Sequence, residues 1–408
     1  MGRFERIGGI ELYDAIIVGA GPVGSHIAGR LAGWGHRIIV LEQHEKVGKT
    51  ACCTGIVGKE CLETFPISKE AVLREARSAR FLSPSGESFR MEKETAQACI
   101  LDRSVFDAAM ASNAQAQGAE YLLDTKVRDV TRTDNLVRVG VESKGRFADF
   151  DGKTVVIASG FGSRLPQKLG FGKNADFVMG AQAEVATGEI DEVEIYLGGH
   201  IAPGFFAWLV PTSQGRALAG LLSRRHTGSH LTSFIDNLAK QGRIDPSGAR
   251  ITYGGVPLKP LSRTSGERVI VVGDAAGQVK PTTGGGIYYG LLCAEIAADT
   301  MHRAICNNVY SDELLGDYEK RWRKLLSREL RIGRWARWLF EKLNDRQIDY
   351  LFDIVQRNGI SESLLNSANF SFDWHSRLIL RGLRHLGPKA AVSVLWLPIS
   401  ARLSRGSP

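Results

Sequence analysis

At about 150 residues per domain, a chain of 408 residues holds two or three domains. With 43% hydrophobic and 24% charged residues it has the balance of an ordinary globular protein, which sets aside disordered, collagen-like and membrane-spanning classes. The net charge of +8 is unevenly placed: residues 301–408 carry 18 Lys and Arg against 11 Asp and Glu. From Trp374 onward there is no acidic residue, while Arg377, Arg381, Arg384, Lys389, Arg402 and Arg405 remain. No nucleic-acid module accompanies this surplus, so no nucleic acid is expected as a partner. An anionic membrane surface and a solvated helical face both fit such a tail. The apolar run Ala390–Ile399 is too short to cross a bilayer and is broken by Ser393 and Pro398. The polar N-terminus lacks the apolar core of a signal peptide. The expectation is a cytoplasmic protein, peripheral at a membrane surface at most. Cysteines 52, 53, 61, 99, 293 and 306 form no CxxC pair and no zinc-spaced cluster, and are expected to be reduced.

In chain order, Tyr13–Val18 is an apolar strand ending in Gly19-Ala-Gly-Pro-Val-Gly24. A helix follows over Ser25–Trp34, then a strand over His36–Leu41 that stops at Glu42. Residues 43–60, rich in Gly and polar side chains, predict a loop. Asp102–Gly118 predicts a helix with Asp102 as N-cap and Gly118 at its end. Strands at 119–123, 126–131, 136–142 and 154–158 read as a meander. Alternation over Phe177–Val185 and Val193–Leu197 predicts a second, antiparallel sheet, and 249–256 returns the chain to the first domain. Arg268–Val272 is a buried-type strand, Gly284–Ala304 a helix behind a glycine run, and the pattern from Ser311 onward is helical. The fold class is α/β. A Rossmann-like domain (1–165 and 256–305, with 66–98 free to enter the other domain) interweaves with an antiparallel-sheet substrate domain (166–255). A helical C-terminal region (306–408) follows.

Two constellations carry chemistry. In the first, Gly19 permits a tight turn, Gly21 lets the backbone approach a pyrophosphate, and Gly24 lets helix and strand pack closely. The helix N-terminus presents free N–H groups to phosphate, and Glu42 accepts from a ribose diol. The motif alone does not separate FAD from NAD. In the second, Val269–Val272 runs into Gly273-Asp274-Ala275-Ala276-Gly277, followed by Pro281 and Thr283-Gly284-Gly285-Gly286-Ile287. Asp274 at a strand end suits a ribityl hydroxyl, and the glycines open a helix whose N–H groups stabilise an anionic reduced flavin.

Here the sequence resembles the FAD-dependent group that includes aromatic hydroxylases and geranylgeranyl reductases. Arg103, in Leu101-Asp-Arg-Ser-Val-Phe-Asp107, matches a position where that group's Arg helps hold the cofactor, and the resemblance adds Val127 to the cofactor set. Pro203-Gly-Phe-Phe-Ala-Trp-Leu-Val-Pro211 is similar to the reductase signature Pro-x-x-Tyr-x-Trp-x-Phe-Pro, with Phe206 for Tyr and Val210 for Phe. The phenol hydroxyl is therefore missing from any proton-donor role. Cys53-Thr-Gly-Ile56 is similar to the family's Cys-Ser/Thr-Gly segment beside the flavin, and Ala158-Ser-Gly160 stands where hydroxylases place Asp-Gly. The resemblance covers about the first 310 residues.

It implies an FAD-dependent oxidoreductase that reduces isolated double bonds of geranylgeranyl chains by hydride transfer, with Cys53, Phe206 and Trp208 at the reacting end. The implied substrate is an isoprenoid lipid or prenyl diphosphate, held in an apolar tunnel lined by Phe205, Phe206 and Trp208. NAD(P)H, ferredoxin and a quinol all stand as electron donors. Two rivals remain: an FAD monooxygenase or halogenase, and a non-catalytic FAD-binding lipid or quinone carrier.

Overall fold

The computed structural model describes residues 12–49, 52–357 and 371–385. The chain opens with β1 (Leu12–Val18), α1 (Pro22–Gly33) and β2 (Ile38–Leu41), the expected βαβ unit. The stretch 43–60 is not wholly loop: it ends in β3 (Ile56–Gly58) and the start of α2 (Lys59–Thr64). Four strands follow, β4 (Val72–Ala76), β5 (Ser78–Leu82), β6 (Ser88–Glu92) and β7 (Ala98–Leu101). In α3 (Arg103–Ala116) the Asp102 carboxylate accepts from the N–H groups of Ser104 (2.8 Å) and Val105 (3.1 Å), the predicted N-cap.

Next come β8 (Glu120–Leu122), β9 (Lys126–Arg132), β10 (Val137–Ser143), β11 (Arg146–Ile157) and the single turn α4 (Leu165–Lys168). The middle of the chain holds β12 (Phe177–Thr187), β13 (Val193–Leu197), β14 (Phe206–Pro211), β15 (Arg216–Ser223), α5 (Thr227–Lys240), β16 (Ile244–Asp245) and β17 (Thr252–Pro257). Then β18 (Ser265–Gly266) and β19 (Val269–Val271) lead to the helices α6 (Ile287–Asn307), α7 (Asp312–Phe340), α8 (Asp345–Arg357) and α9 (Ser376–His385).

The first sheet has the order β18-β19-β11-β1-β2-β8, parallel from β19 to β8. Covered on both faces, β1, β2 and β19 need no alternation, which is why they read as unbroken apolar runs. The expected four-strand meander shrinks to β9-β10-β11. The strand at 120–122 pairs instead along β2, because parallel addition covers the open edge of the main sheet.

The second sheet has the order β16-β12-β15-β14-β13-β5-β6, with β17 also on β12. Two chain segments far from 177–223 therefore contribute to it. β5 lies parallel to β13 through Val193↔Ala79 to Tyr196↔Leu82. β17 runs antiparallel along β12 from Phe177↔Pro257 to Gln182↔Thr252. The return to the first sheet expected over 249–256 thus comes only after Pro257. A small third sheet, β3-β7-β4, joins the two. One core packs α1, α6 and α7 on the parallel sheet through Ile17, Ile27, Leu31, Ile270, Leu291, Met301 and Trp322. Another, with Ile100, Val178, Phe205, Trp208, Val210 and Leu222, lies between the second and third sheets.

Candidate active site

The first glycine turn is built as its spacing implies. Gly19 has φ +104°, and a Cβ on Gly24 would stand 2.0 Å from the Gly19 carbonyl oxygen, so helix and turn can approach only with glycine there. A Cβ on Gly21 would meet nothing within 4 Å, since that side is open space. Glu42, buried at the end of β2, accepts from the Ala20 N–H at 2.9 Å and from the His44 N–H at 2.9 Å. His44 Nδ1 lies 2.7 Å from the same carboxylate, a partner the sequence reading missed.

The second constellation faces the first. Asp274 lies in a 3-10 turn directly after β19. A Cβ on Gly286, the N-cap of α6, would stand 2.6 Å from Asp274 Oδ1. Burial pushes the Asp274 carboxyl up, and the Arg103 cation opposes that shift. Arg103 itself grips Asp107 through two bonds, Nε–Oδ1 at 3.0 Å and Nη2–Oδ2 at 2.9 Å. Its guanidinium also lies against the Cys53 thiol.

Three adjoining hollows with shared lining residues run past these parts. The outer section, about 730 Å³, is lined by Glu42, Gln43, Val127, Arg128 and Ser159. The middle section, about 440 Å³, runs past Gly19, Gly21, Arg103, Gln182, Asp274 and Gly284. The inner section, about 510 Å³, is walled by Phe81, Val193, Ile195, Phe206, Val210 and Phe340. Middle and inner sections share Cys53, Thr54, Trp208, Thr283, Gly284, Gly286 and Ile287. Gly273 lines the middle section and Gly285 the inner one, while Gly24 works behind the turn. Phe205, one residue before β14, is buried in the core beside Trp208 and Val210 and does not line the cavity, whereas Phe206 does.

At the junction the Cys53 Sγ accepts from the Gly55 N–H at 3.4 Å, and Gln182 Nε2 donates to the Cys53 carbonyl at 3.1 Å. Burial pushes the neighbouring Cys52 thiol up. The Trp208 indole lies across Gly220, its register partner, where a Cβ would stand 2.4 Å from Cζ2. Three buried polar atoms on the walls, Ser159 Oγ, Gln182 Oε1 and Trp208 Nε1, have no hydrogen-bond partner among the described residues. Such atoms are expected to be satisfied by a ligand with both donors and acceptors. Together with the open side of Gly21 and the Asp274 carboxyl on the cleft wall, they fit a dinucleotide with a polar ring system. Gln182, Lys280 and Asp373 were not anticipated. The first was readable as a polar residue inside an apolar run.

A family profile described as pyridine nucleotide-disulphide oxidoreductase matches residues 13–190. Digeranylgeranylglycerophospholipid reductase of Methanocaldococcus jannaschii is 30% identical over 85% of this chain and 91% of its own length. The chain belongs to the geranylgeranyl reductase family. As a geranylgeranyl reductase-type flavoprotein it is an FAD-dependent oxidoreductase. The solved geranylgeranyl bacteriochlorophyll reductase-like protein of Thermoplasma acidophilum shares its fold, with a TM-score of 0.83 at 24% identity over 95% of this chain and 99% of that one. A flavin-dependent brominase superposes with a TM-score of 0.68 at 16% identity, over 91% of this chain and 98% of its own. Fold alone therefore does not choose between reduction and oxygen chemistry. Among the described residues no helix is long and apolar enough to cross a membrane.

Proposed function

We propose that this chain saturates isolated double bonds of geranylgeranyl lipid chains. The observation that carries the reading is the shared wall at Cys53 and Trp208, where the cleft of the glycine turns adjoins an apolar cavity. In this reading Gly19, Gly21 and Gly24 bring the α1 N-terminus to the pyrophosphate and Glu42 takes the ribose, with Val127 near the adenosine end. Asp274 takes the ribityl chain, while Gly273 and Gly284–Gly286 bring the α6 N-terminus to the flavin ring. Arg103 acts on this site through Asp107 and Cys53. Bound and reduced, FAD supplies the hydride. The protein's own part is to hold the chain and exclude water. Phe206 and Trp208 orient the prenyl chain, whose burial contributes ~0.8 kcal/mol per CH₂.

A basic outer surface supports an anionic membrane as the place where the lipid is met. Lys324, Arg328, Arg331 and Arg334 of α7 are exposed and have no carboxylate partner among the described residues. Trp335 and Trp338 stand among them, 39% and 54% exposed. At 3.6 residues per turn these six positions fall on one face about 120° wide. Ala336, Arg337 and Phe340, on the opposite face, line the cavity. Tryptophan beside cations suits a lipid–water boundary. In the tail first named for this role, residues 386–408 lie outside the described ones.

Dithionite-reduced protein, incubated without oxygen with geranylgeranyl lipids, should return oxidised FAD in step with products heavier by one H₂ per bond. A lipid pool that stays unchanged, or product that forms only with oxygen present, transfers the chain to the monooxygenase and halogenase class. NAD(P)H, ferredoxin and quinol can then be compared as the donor that replaces dithionite.

A further inference from the structure

Saturating an alkene needs a proton as well as a hydride, and the wall of the apolar cavity holds one buried ammonium. Lys280 is 4% exposed and lines that cavity. It stands under the glycine run, where a Cβ on Gly285 would lie 2.7 Å from its Cε. Its Nζ pairs with Asp373 Oδ1 at 2.7 Å, and Asp373 is 1% exposed. The second oxygen of Asp373 is buried without a partner among the described residues, pressed on Gly58, whose added Cβ would stand 2.0 Å away. Two of the neighbouring groups, His375 and Cys61, are neutral at ordinary pH. Burial and the Lys280 cation hold His375 down at about 4, and burial pushes Cys61 up to about 12.

A buried ion pair seldom stabilises more than an apolar pair of the same volume, so its presence in an apolar wall asks for another reason. Fastening the 371–376 segment is not that reason. Ser371 Oγ and Trp374 Nε1 each reach Glu60 at 2.7 Å, the Tyr289 hydroxyl donates to the Asp373 carbonyl at 3.0 Å, and the Ser376 N–H donates to Glu329 at 2.8 Å. Of the other groups on the wall, Phe206 has no exchangeable proton, the Cys53 sulfur is engaged with the Gly55 N–H and the Arg103 guanidinium, and the Arg337 guanidinium lies over the Phe205 and Phe340 rings.

We propose that Lys280 is the catalytic proton donor to the prenyl double bond, with Asp373 as the positioning residue that aims Nζ. The inference rests on the reductase reading above. The alkene π pair breaks, and one carbon receives a hydride with its electron pair from reduced flavin, which is oxidised. The other carbon receives the proton from Nζ, breaking one N–H bond. Lys280 is left as a neutral amine, and a solvent proton restores it before the next turnover.

The test compares variants with wild-type protein, so a wild type that leaves lipids unsaturated counts against the reductase reading and not against Lys280. Lys280→Met combined with Asp373→Asn removes donor and counter-charge together and leaves no lone buried ion. This double variant should keep FAD, yet reoxidise it with geranylgeraniol at least a hundredfold more slowly than wild type. In Lys280→Ala, methylamine or ethylamine should enter the vacated space and restore a tenfold or greater part of the rate. Independently of turnover, calorimetry should show wild type binding a geranylgeraniol epoxide, which offers Nζ an acceptor oxygen, about tenfold more tightly than geranylgeraniol. The double variant should bind the two equally. Reoxidation within threefold of wild type, slowing that no amine relieves, or an epoxide preference that survives in the double variant would each overturn the proposal.

Discussion

The cofactor cleft and the apolar cavity share a wall that includes Trp208, yet they are built in opposite ways. The cleft is centred on two short stretches, Gly19–Glu42 and Gly273–Ile287, each a glycine turn leading to a helix N-terminus, with the rest of its lining from residues such as Cys53, Arg103, Ser159 and Gln182. The cavity draws its walls from β3, β5, β13, β14, the start of α6, the inner face of α7 and the 372–379 segment. A site that works through backbone N–H groups needs local geometry. A site that works through apolar area needs only that many side chains arrive. The first should therefore break at single residues, and the second should tolerate change everywhere except where it touches the first.

The largest effect is expected at that contact. Trp208→Ala should cost ~3–5 kcal/mol of stability as a large-to-small core change and stop prenyl reduction, while FAD stays bound. Gly220→Val should give the same separation by displacing the indole, because its side chain would occupy the ring's place. Melting temperature, FAD content and turnover decide the matter. If FAD leaves together with activity, cleft and cavity are one unit and the contrast fails.

Acid should act on the cavity side next. His375, bonded to Thr282 at 2.6 Å, has a native pKa of about 4, below its unfolded value near 6.5. The unfolded chain thus binds the extra proton first. Stability is full above pH 6.5 and falls by on the order of 2–4 kcal/mol as pH drops toward 4. His375→Gln should flatten that part of the stability–pH curve measured by denaturant melts. An unchanged slope between pH 6.5 and 4 would show that this segment does not hold the cavity closed.

On the cleft side, Asp274→Ala should weaken FAD by ~1–3 kcal/mol, roughly five- to 150-fold, by leaving a ribityl hydroxyl unpaired. Dialysis followed by absorbance reads this directly, and the cavity's affinity for geranylgeraniol should not change. The smallest effect on the fold is expected at the outer face of α7. Replacing Arg328, Arg331 and Arg334 with Gln should leave stability within about 0.5 kcal/mol. Sedimentation with anionic vesicles should weaken roughly fivefold per charge at low salt, since each cation near such a surface contributes about 1 kcal/mol. Equal sedimentation of both proteins removes the membrane from the account.

The same contrast explains what could be read from the sequence. Asp102 as an N-cap, the crowding at Gly24 and the meeting of Glu42 with the first turn were legible because each depends on neighbours within about 25 residues. The pairing of β8 with β2, and of β17 along β12, was not, since propensity and alternation identify a strand without naming its partner. Lys280 was visible as an odd cation between Val279 and Pro281, but its meaning needed Asp373, 93 positions further on. Arg103 was assigned directly to the cofactor on resemblance. Its bidentate grip on Asp107 is a detail of rotamers that no motif carries.

The docking of residues 371–376 onto Glu60, Tyr289 and Glu329 also sets an order of assembly during synthesis. Every cleft residue has been made by the time Ile287 is joined, so FAD can be captured by a nascent chain. The wall that Phe372 and Asp373 complete arrives 85 residues later, which at ~5–20 residues per second is a delay of roughly 4–17 s. Throughout that interval the apolar hollow stands open to the ribosome's surroundings. A chaperone, or the cofactor itself, then has reason to occupy the newborn protein before a lipid does.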